Sequence, residues 1–294
     1  MEPVLEVKNL RKQYKKLVAV DDISFQIQPG ICFGLLGPNG AGKTTTIEMI
    51  EGITTPTSGE ILYKGRPRGS DFTLQAGIQF QSTSVMDKLV ARELLELFHG
   101  LYPKTAPIEE IIELCGLEPL LNQEAKRLSG GQKQRLMFAL ALINDPEIIF
   151  LDEPTTGLDP QSRRNLWSLI AKIKAQGKNI LLTTHYMEEA EMLCDHLIII
   201  DHGKIISEGS PKNLLKQHFG YFYVCIDKQD MNVSLDDLGE VIEDRDDYYE
   251  IQSKSVEDTL QKLIRNNVLL NSLRVRQPTL EDLFLKLTGH SLRD

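Results

Sequence analysis

Residues 4–10 alternate apolar and polar side chains, and residues 23–27 do the same, as strands with one buried face do. Residues 31–36 form a continuous apolar run, and a helical pattern follows over about 43–51. From 86 to about 121 the spacing is helical throughout. Leu94, Leu97, Phe98 and Leu101 fall on one predicted apolar face, and Ile111, Leu114 and Cys115 continue the habit. Ser129 predicts an N-cap, with Leu136, Met137, Leu140 and Ile143 as the apolar stripe of the helix it opens. A strand at 147–151, a helix around 164–176 and strands at 179–183 and 196–201 complete the rhythm. Such alternation predicts an α/β core with a mostly parallel sheet, interrupted by a helix-rich subdomain at about 86–146.

Past residue 220 the character changes. Residues 221–294 carry 15 acidic side chains against nine Lys and Arg, two thirds of the chain's net charge of -9. Strands at 221–226, 248–251 and 268–275, with helices at 256–264 and 279–287, predict a small α+β domain at 221–294 behind a larger one at 1–220. Asp236, Asp237, Glu240, Glu243, Asp244, Asp246 and Asp247 cluster there without the glycine-punctuated spacing of a calcium loop, and read as a solvated turn.

The acidic balance disfavours a nucleic-acid partner. Cys32, Cys115, Cys194 and Cys225 stand singly, which reads as reduced, buried thiols. The first residues lack a signal pattern, and no apolar run approaches the length of a membrane span. Any work at a membrane is expected to go through a partner that provides the spans.

Gly37-Pro38-Asn39-Gly40-Ala41-Gly42-Lys43-Thr44, followed by Thr45, is a complete phosphate-binding loop between an apolar strand and a helix. Its glycines let backbone N–H groups converge on the β- and γ-phosphates of a nucleotide. Lys43 adds a point charge at the γ-phosphate, and the Thr44 hydroxyl is a ligand for Mg²⁺. A buried strand then ends in Asp152-Glu153. In a phosphate-loop protein the aspartate at such an end holds the magnesium, and Glu153 is placed to deprotonate an attacking water. A second glycine-rich turn, Leu128-Ser129-Gly130-Gly131-Gln132, opens a helix with a hydroxyl and two glycines. It too is suited to an anion. Two such turns in one chain suggest half-sites that meet between two molecules.

With these motifs in this order, and with Pro154-Thr155-Thr156-Gly157-Leu158-Asp159-Pro160 after the acid pair, residues 3–215 resemble the nucleotide-binding subunit of an ATP-binding-cassette (ABC) transporter. The resemblance implies an ABC ATPase fold: a mostly parallel sheet with an antiparallel β part and the inserted helical subdomain. It implies ATP and Mg²⁺, and two copies (a homodimer, or a heterodimer with a paralogous ATPase) arranged head to tail. Each signature turn, Ser129 to Gln132, then faces the partner's phosphate loop. Gln81 matches the glutamine that senses magnesium and water and couples to the membrane subunit, with Gln79 as the alternative. Asp159 matches the aspartate that crosses the dimer, His185 the histidine at the γ-phosphate, and Tyr14 the aromatic that stacks on adenine.

Two further stretches are similar to the ATPases of ABC-2-type exporters: His185-Tyr186-Met187-Glu188-Glu189-Ala190-Glu191, and the tail from Arg276-Gln277-Pro278-Thr279 to Gly289. That likeness implies separate transmembrane permease subunits and a place at the cytoplasmic face of the membrane. The alternatives are a soluble ABC ATPase without a transport role and a regulatory module that binds nucleotide without hydrolysis. Intact Glu153 and His185 disfavour the second.

Overall fold

The structure is a computed structural model that describes residues 2–69, 72–79, 88–231 and 241–289. In chain order the elements of the first part are β1 (Leu5–Tyr14), β2 (Leu17–Ile27), β3 (Cys32–Leu36), α1 (Lys43–Glu51), β4 (Ser58–Tyr63), β5 (Arg66–Pro67), α2 (Phe72–Gln75), β6 (Ala76–Gln79), α3 (Ala91–His99), α4 (Ile108–Cys115), α5 (Gly130–Leu142), β7 (Ile148–Asp152), α6 (Pro160–Ala175), β8 (Asn179–Thr184), α7 (Met187–Leu193), β9 (His196–Asp201) and β10 (Lys204–Gly209). Then follow α8 (Pro211–His218), β11 (Phe222–Asp227), β12 (Val241–Asp244), β13 (Tyr248–Ser253), α9 (Val256–Arg265), β14 (Arg274–Arg276) and α10 (Leu280–Thr288). The chain divides into two compact units between Pro211 and Lys212.

In the first unit an antiparallel sheet, ordered β2-β1-β4-β5, accompanies a six-stranded sheet ordered β10-β9-β3-β8-β7-β6. The five strands from β9 to β6 run parallel, and β10 closes one edge antiparallel. Strands β3 and β7 are buried along their whole length, which is why they read as unbroken apolar runs rather than alternations. Their register decides the site: Leu36 pairs with Thr184, and Asp152 pairs with Thr183. The ends of β3, β8 and β7 therefore open on one edge, the crevice where α/β sheets bind ligands. One core joins the two sheets. Leu5, Leu10, Ile23 and Phe25 pack with Phe33, Leu35, Ile47 and Phe150, and the Phe25 and Phe33 rings stack at 5.2 Å.

The helical stretch differs from its predicted outline. The described residues of 86–121 contain two α-helices, α3 and α4, and the buried face of α3 is Ala91, Leu94 and Leu95. Leu97 and Leu101, expected on the apolar face, are exposed. Helix α5 is buried on every side from Leu136 to Ile143, so its one-sided stripe underestimates its burial.

The second unit holds an antiparallel sheet ordered β12-β13-β11-β14. Val224, Ile226 and Ile251 on one face pack with Leu263 and Val268. Of the strand expected at 268–275, only Arg274–Arg276 extends. Asp230 takes the rest into a turn: its carboxylate accepts from Ser272 N (3.1 Å) and Ser272 Oγ (2.6 Å), and its carbonyl accepts from Leu269 N (3.3 Å). In the C-terminal motif Arg276 holds the buried Glu250 (2.8 Å) and Asp282 (2.7 Å). Asp282 in turn forms a capping box with Thr279 at the start of α10. Within the acidic segment Asp244 pairs with Lys228 and Glu243 with Arg245, while Asp236, Asp237 and Glu240 lie outside the described residues.

Glu51, on the last turn of α1, is almost fully buried. Burial first, then Asp152 and Glu48, push its carboxyl from 4.5 up to about 8. The folded chain therefore keeps a proton that the unfolded chain has released, and stability falls as pH rises through that interval. Glu51→Gln removes this penalty. Its Tm advantage over the parent should be small at pH 5, grow to pH 8 and then level off in scanning calorimetry; a constant offset across that range would disprove the assignment.

Candidate nucleotide site

The loop after β3 turns at Gly42, whose φ of 105° is a left-handed conformation. A Cβ there would lie 2.4 Å from the Ala19 carbonyl oxygen of the β1–β2 hairpin, so only glycine fits. Helix α1 then opens with no acidic side chain in its first turn, which leaves its positive end for an anion. Lys43, 5% exposed, curls back over the loop and donates to the carbonyls of Gly37 (2.9 Å) and Pro38 (3.1 Å). Burial lowers its pKa, opposed by Glu153 and Asp152.

Asp152 and Glu153 are both buried at the end of β7. Thr183, on the neighbouring strand, donates its hydroxyl to Asp152 and accepts from Glu153 N at 3.0 Å, so one side chain holds both acids in place. Glu153 has a φ of 48°, unusual for a residue with a Cβ, in the turn that directs its carboxylate toward the loop. Its Oε1 lies 3.5 Å from Lys43 Nζ and 3.3 Å from His185 Nδ1, and its Oε2 accepts from Thr156 Oγ1 at 3.2 Å. His185 above all, and Lys43 with it, lower the Glu153 pKa against the effect of burial. Asp152 moves the other way, raised chiefly by burial despite the Thr183 bond. One carboxylate is thus kept ionised beside a lysine and a histidine. The other is buried at a charge deficit that a divalent cation would correct, so the donor set fits Mg²⁺.

A cleft of about 420 Å³ lies over the loop. Tyr14, Leu17 and Val18 of the hairpin form one wall; Asn39, Gly40 and Gly42–Thr45 form the floor, and Glu153 borders it. Tyr14 is 44% exposed, with Lys12 Nζ 4.9 Å from its ring centroid. Thr44 is exposed and Thr45 half-buried. Leu17, Val18 and His202 were not legible as lining residues. The first two follow the Tyr14 turn directly, but His202 arrives from a turn remote in sequence.

The second glycine-rich turn stands apart from this cleft: among the described residues none of Leu128 to Gln132 lines it. Ser129 caps α5, with Gln132 closing a capping box (Ser129 N to Gln132 Oε1, 2.9 Å). Gly131 has a role within its own chain. A Cβ there would fall 2.5 Å from Ser162 Oγ and 2.7 Å from Ser162 Cβ. Ser162 Oγ donates to Asp159 Oδ2 (2.6 Å), and Asp159 caps α6 through the N–H groups of Gln161 and Ser162. The Ser129 turn and the Asp159 turn are therefore packed together. Gln81 lies outside the described residues. Its alternative Gln79 is buried at the end of β6, where its Nε2 donates to Gln134 Oε1 (2.5 Å) on α5.

Comparison with known proteins gives a consistent picture. The family model described as "ABC transporter" matches residues 20–156. The Nod factor export ATP-binding protein I of Cupriavidus metallidurans is 38% identical over the full length of both chains. Its Burkholderia pseudomallei (strain K96243) counterpart is also 38% identical, over 99% of this chain and 98% of its own. Among solved structures, an ATP-binding subunit of an ABC transporter superposes with a TM-score of 0.66 at 30% identity, over 73% of this chain and 93% of its own. CbiO1 from Clostridium perfringens, part of the ABC transporter complex cbiONQ, gives 0.67 at 27%, over 74% and 92%.

The Gly131–Ser162 contact makes a prediction that needs no nucleotide. Gly131→Ala should destabilise the chain by about 1–3 kcal/mol, the usual cost of overpacking. In a Ser162→Gly background, where both clashing atoms are gone, most of that cost should vanish. Equal costs in the two backgrounds, measured by denaturant unfolding, would reject the contact.

Proposed function

We propose that this chain, which belongs to the family of ABC transporter ATP-binding proteins, drives an ABC-2-type exporter as one half of a head-to-tail ATPase dimer. Membership makes it an ATPase and the ATP-binding subunit of a transporter, in a family that binds ATP with Mg²⁺. Among the described residues no helix is long and apolar enough to cross a membrane. Permease subunits on separate chains then provide the path and hold the motor at the cytoplasmic face. Relatives named for export, matched over their whole length, support the export direction.

The observation that carries the hydrolytic reading is the Glu153 carboxylate, set between Lys43 and His185 at the edge of the phosphate-loop cleft. With the β- and γ-phosphates of ATP on the loop N–H groups, Lys43 exchanges its carbonyl partners for phosphate oxygens. Glu153, kept ionised, takes a proton from the water that attacks the γ-phosphorus, and ADP departs. His185 faces the charge that builds on the γ-phosphate. Thr44 and Asp152, with Gln81, would hold Mg²⁺, which would supply charge neutralisation at the phosphates. Tyr14 stacks on the adenine, and Ser129, Gly130, Gly131 and Gln132 of a second copy close over the phosphates. Asp159 crosses to that copy. ATP then shifts the population toward the closed dimer, and hydrolysis releases it.

Glu153→Gln should retain ATP binding and slow turnover at least ~100-fold, the scale of a lost general base. With ATP the same variant should elute as a dimer in gel filtration. Near-normal phosphate release would remove Glu153 from this role, and a strictly monomeric species with fast turnover would end the dimer reading.

A further inference from the structure

Glu189, on α7, has no exposed surface and lines no part of the nucleotide cleft among the described residues. Burying a carboxylate is costly, so its surroundings call for a physical reason. Its Oε1 accepts from Trp167 Nε1 on α6 at 2.9 Å. Its Oε2 is buried without a hydrogen bond among the described residues, as are Thr155 Oγ1 and Arg163 Nε. Burial raises the Glu189 pKa, while the approach of Thr184, Trp167, Thr155 and Arg163 opposes the rise. These neighbours belong to three different segments. Thr155 is two residues past Glu153; Thr184 precedes His185; Trp167 and Arg163 lie on the helix that Asp159 caps.

A path to His185 runs through α6, which carries both Trp167 and Arg163. Arg163 lies over the Tyr186 ring, 4.4 Å from its centroid, and the Tyr186 and His185 rings are 4.2 Å apart. Thr184 Oγ1 accepts from Tyr186 N at 2.9 Å, which fixes the turn between β8 and α7. We propose that Glu189 is a positioning residue, a buried carboxylate that holds the His185 turn against the Asp159-capped helix without itself touching ATP. This rests on the reading that His185 and Glu153 act at the γ-phosphate.

Steady-state ATPase assays on E189A, E189Q, H185A and the E189A/H185A double variant test it, with thermal unfolding as the control. Trp167 is the chain's one tryptophan, so its emission reports directly whether the Glu189 contact is intact. E189A should lower kcat at least ~tenfold with KM within ~threefold, and the isosteric E189Q should recover most of the loss. In the H185A background E189A should cost less than ~twofold, because the residue acts through His185. Should E189A fail to fold, W167F, which deletes one donor to the carboxylate, should lower kcat about threefold and lose that effect in the H185A background. Full turnover in folded E189A, or in W167F where E189A is unfolded, would overturn the proposal. So would a loss that repeats undiminished on H185A, which leaves the His185 reading standing. H185A with normal turnover would remove that reading and this proposal together.

Discussion

β8 is hydrogen-bonded between β3 and β7, and the register of those two pairings decides what can meet at the sheet's carboxyl edge. A shift of one residue between β8 and β7 would move Thr183 away from Asp152 and His185 away from Glu153, and one between β3 and β8 would move the Lys43 loop away from both. The first contact is as consequential as the second. A threonine in a fully buried strand orients both acids through one hydroxyl. Lys43, Asp152 and Glu153 are all buried, and each alone would cost several kcal/mol to desolvate. They persist because they are neighbours, and the register makes them so.

The two acids differ because their partners differ. Glu153 has a lysine and a histidine within 3.5 Å and stays ionised; Asp152 has a hydroxyl and a lower-dielectric setting, and its pKa rises. The lowered group contributes stability above its unfolded-state pKa, and that contribution is lost as pH falls through its folded value. Asp152 and Glu51 act in the opposite sense. The site is thus assembled at some expense to the fold, as expected where charges are arranged for a ligand rather than for each other.

The two glycine-rich turns owe their glycines to different neighbours. Gly42 gives way to the carbonyl of Ala19, which brings the hairpin wall down to the loop. Gly131 gives way to Ser162, which brings the Ser129 turn against the helix capped by Asp159. A motif whose spacing suggests a ligand can therefore be constrained by packing in its own chain as well.

Local chemistry was legible in the residues themselves. The phosphate loop, the helix it opens, the acid pair closing a buried strand and the Ser129 cap all depend on neighbours within a few positions. Helix α6 starts at Pro160, several residues before its predicted onset, although Asp159 and Pro160 are a readable cap signal. Non-local competition explains the other misses. Periodicity could not show that Leu97 and Leu101 face outward, since that depends on where α4 and α5 leave room. Nor could it foresee Asp230 drawing Leu269 and Ser272 out of a strand. Neighbouring residues alone were enough to fix the phosphate loop, the helix behind it and its chemical class. That Glu153 sits between Lys43 and His185, that Gly131 packs on Ser162 and that Glu189 is buried against Trp167 came only from the folded chain. Those contacts join residues 22 to 110 positions apart, and strand register and packing set them, not local preference.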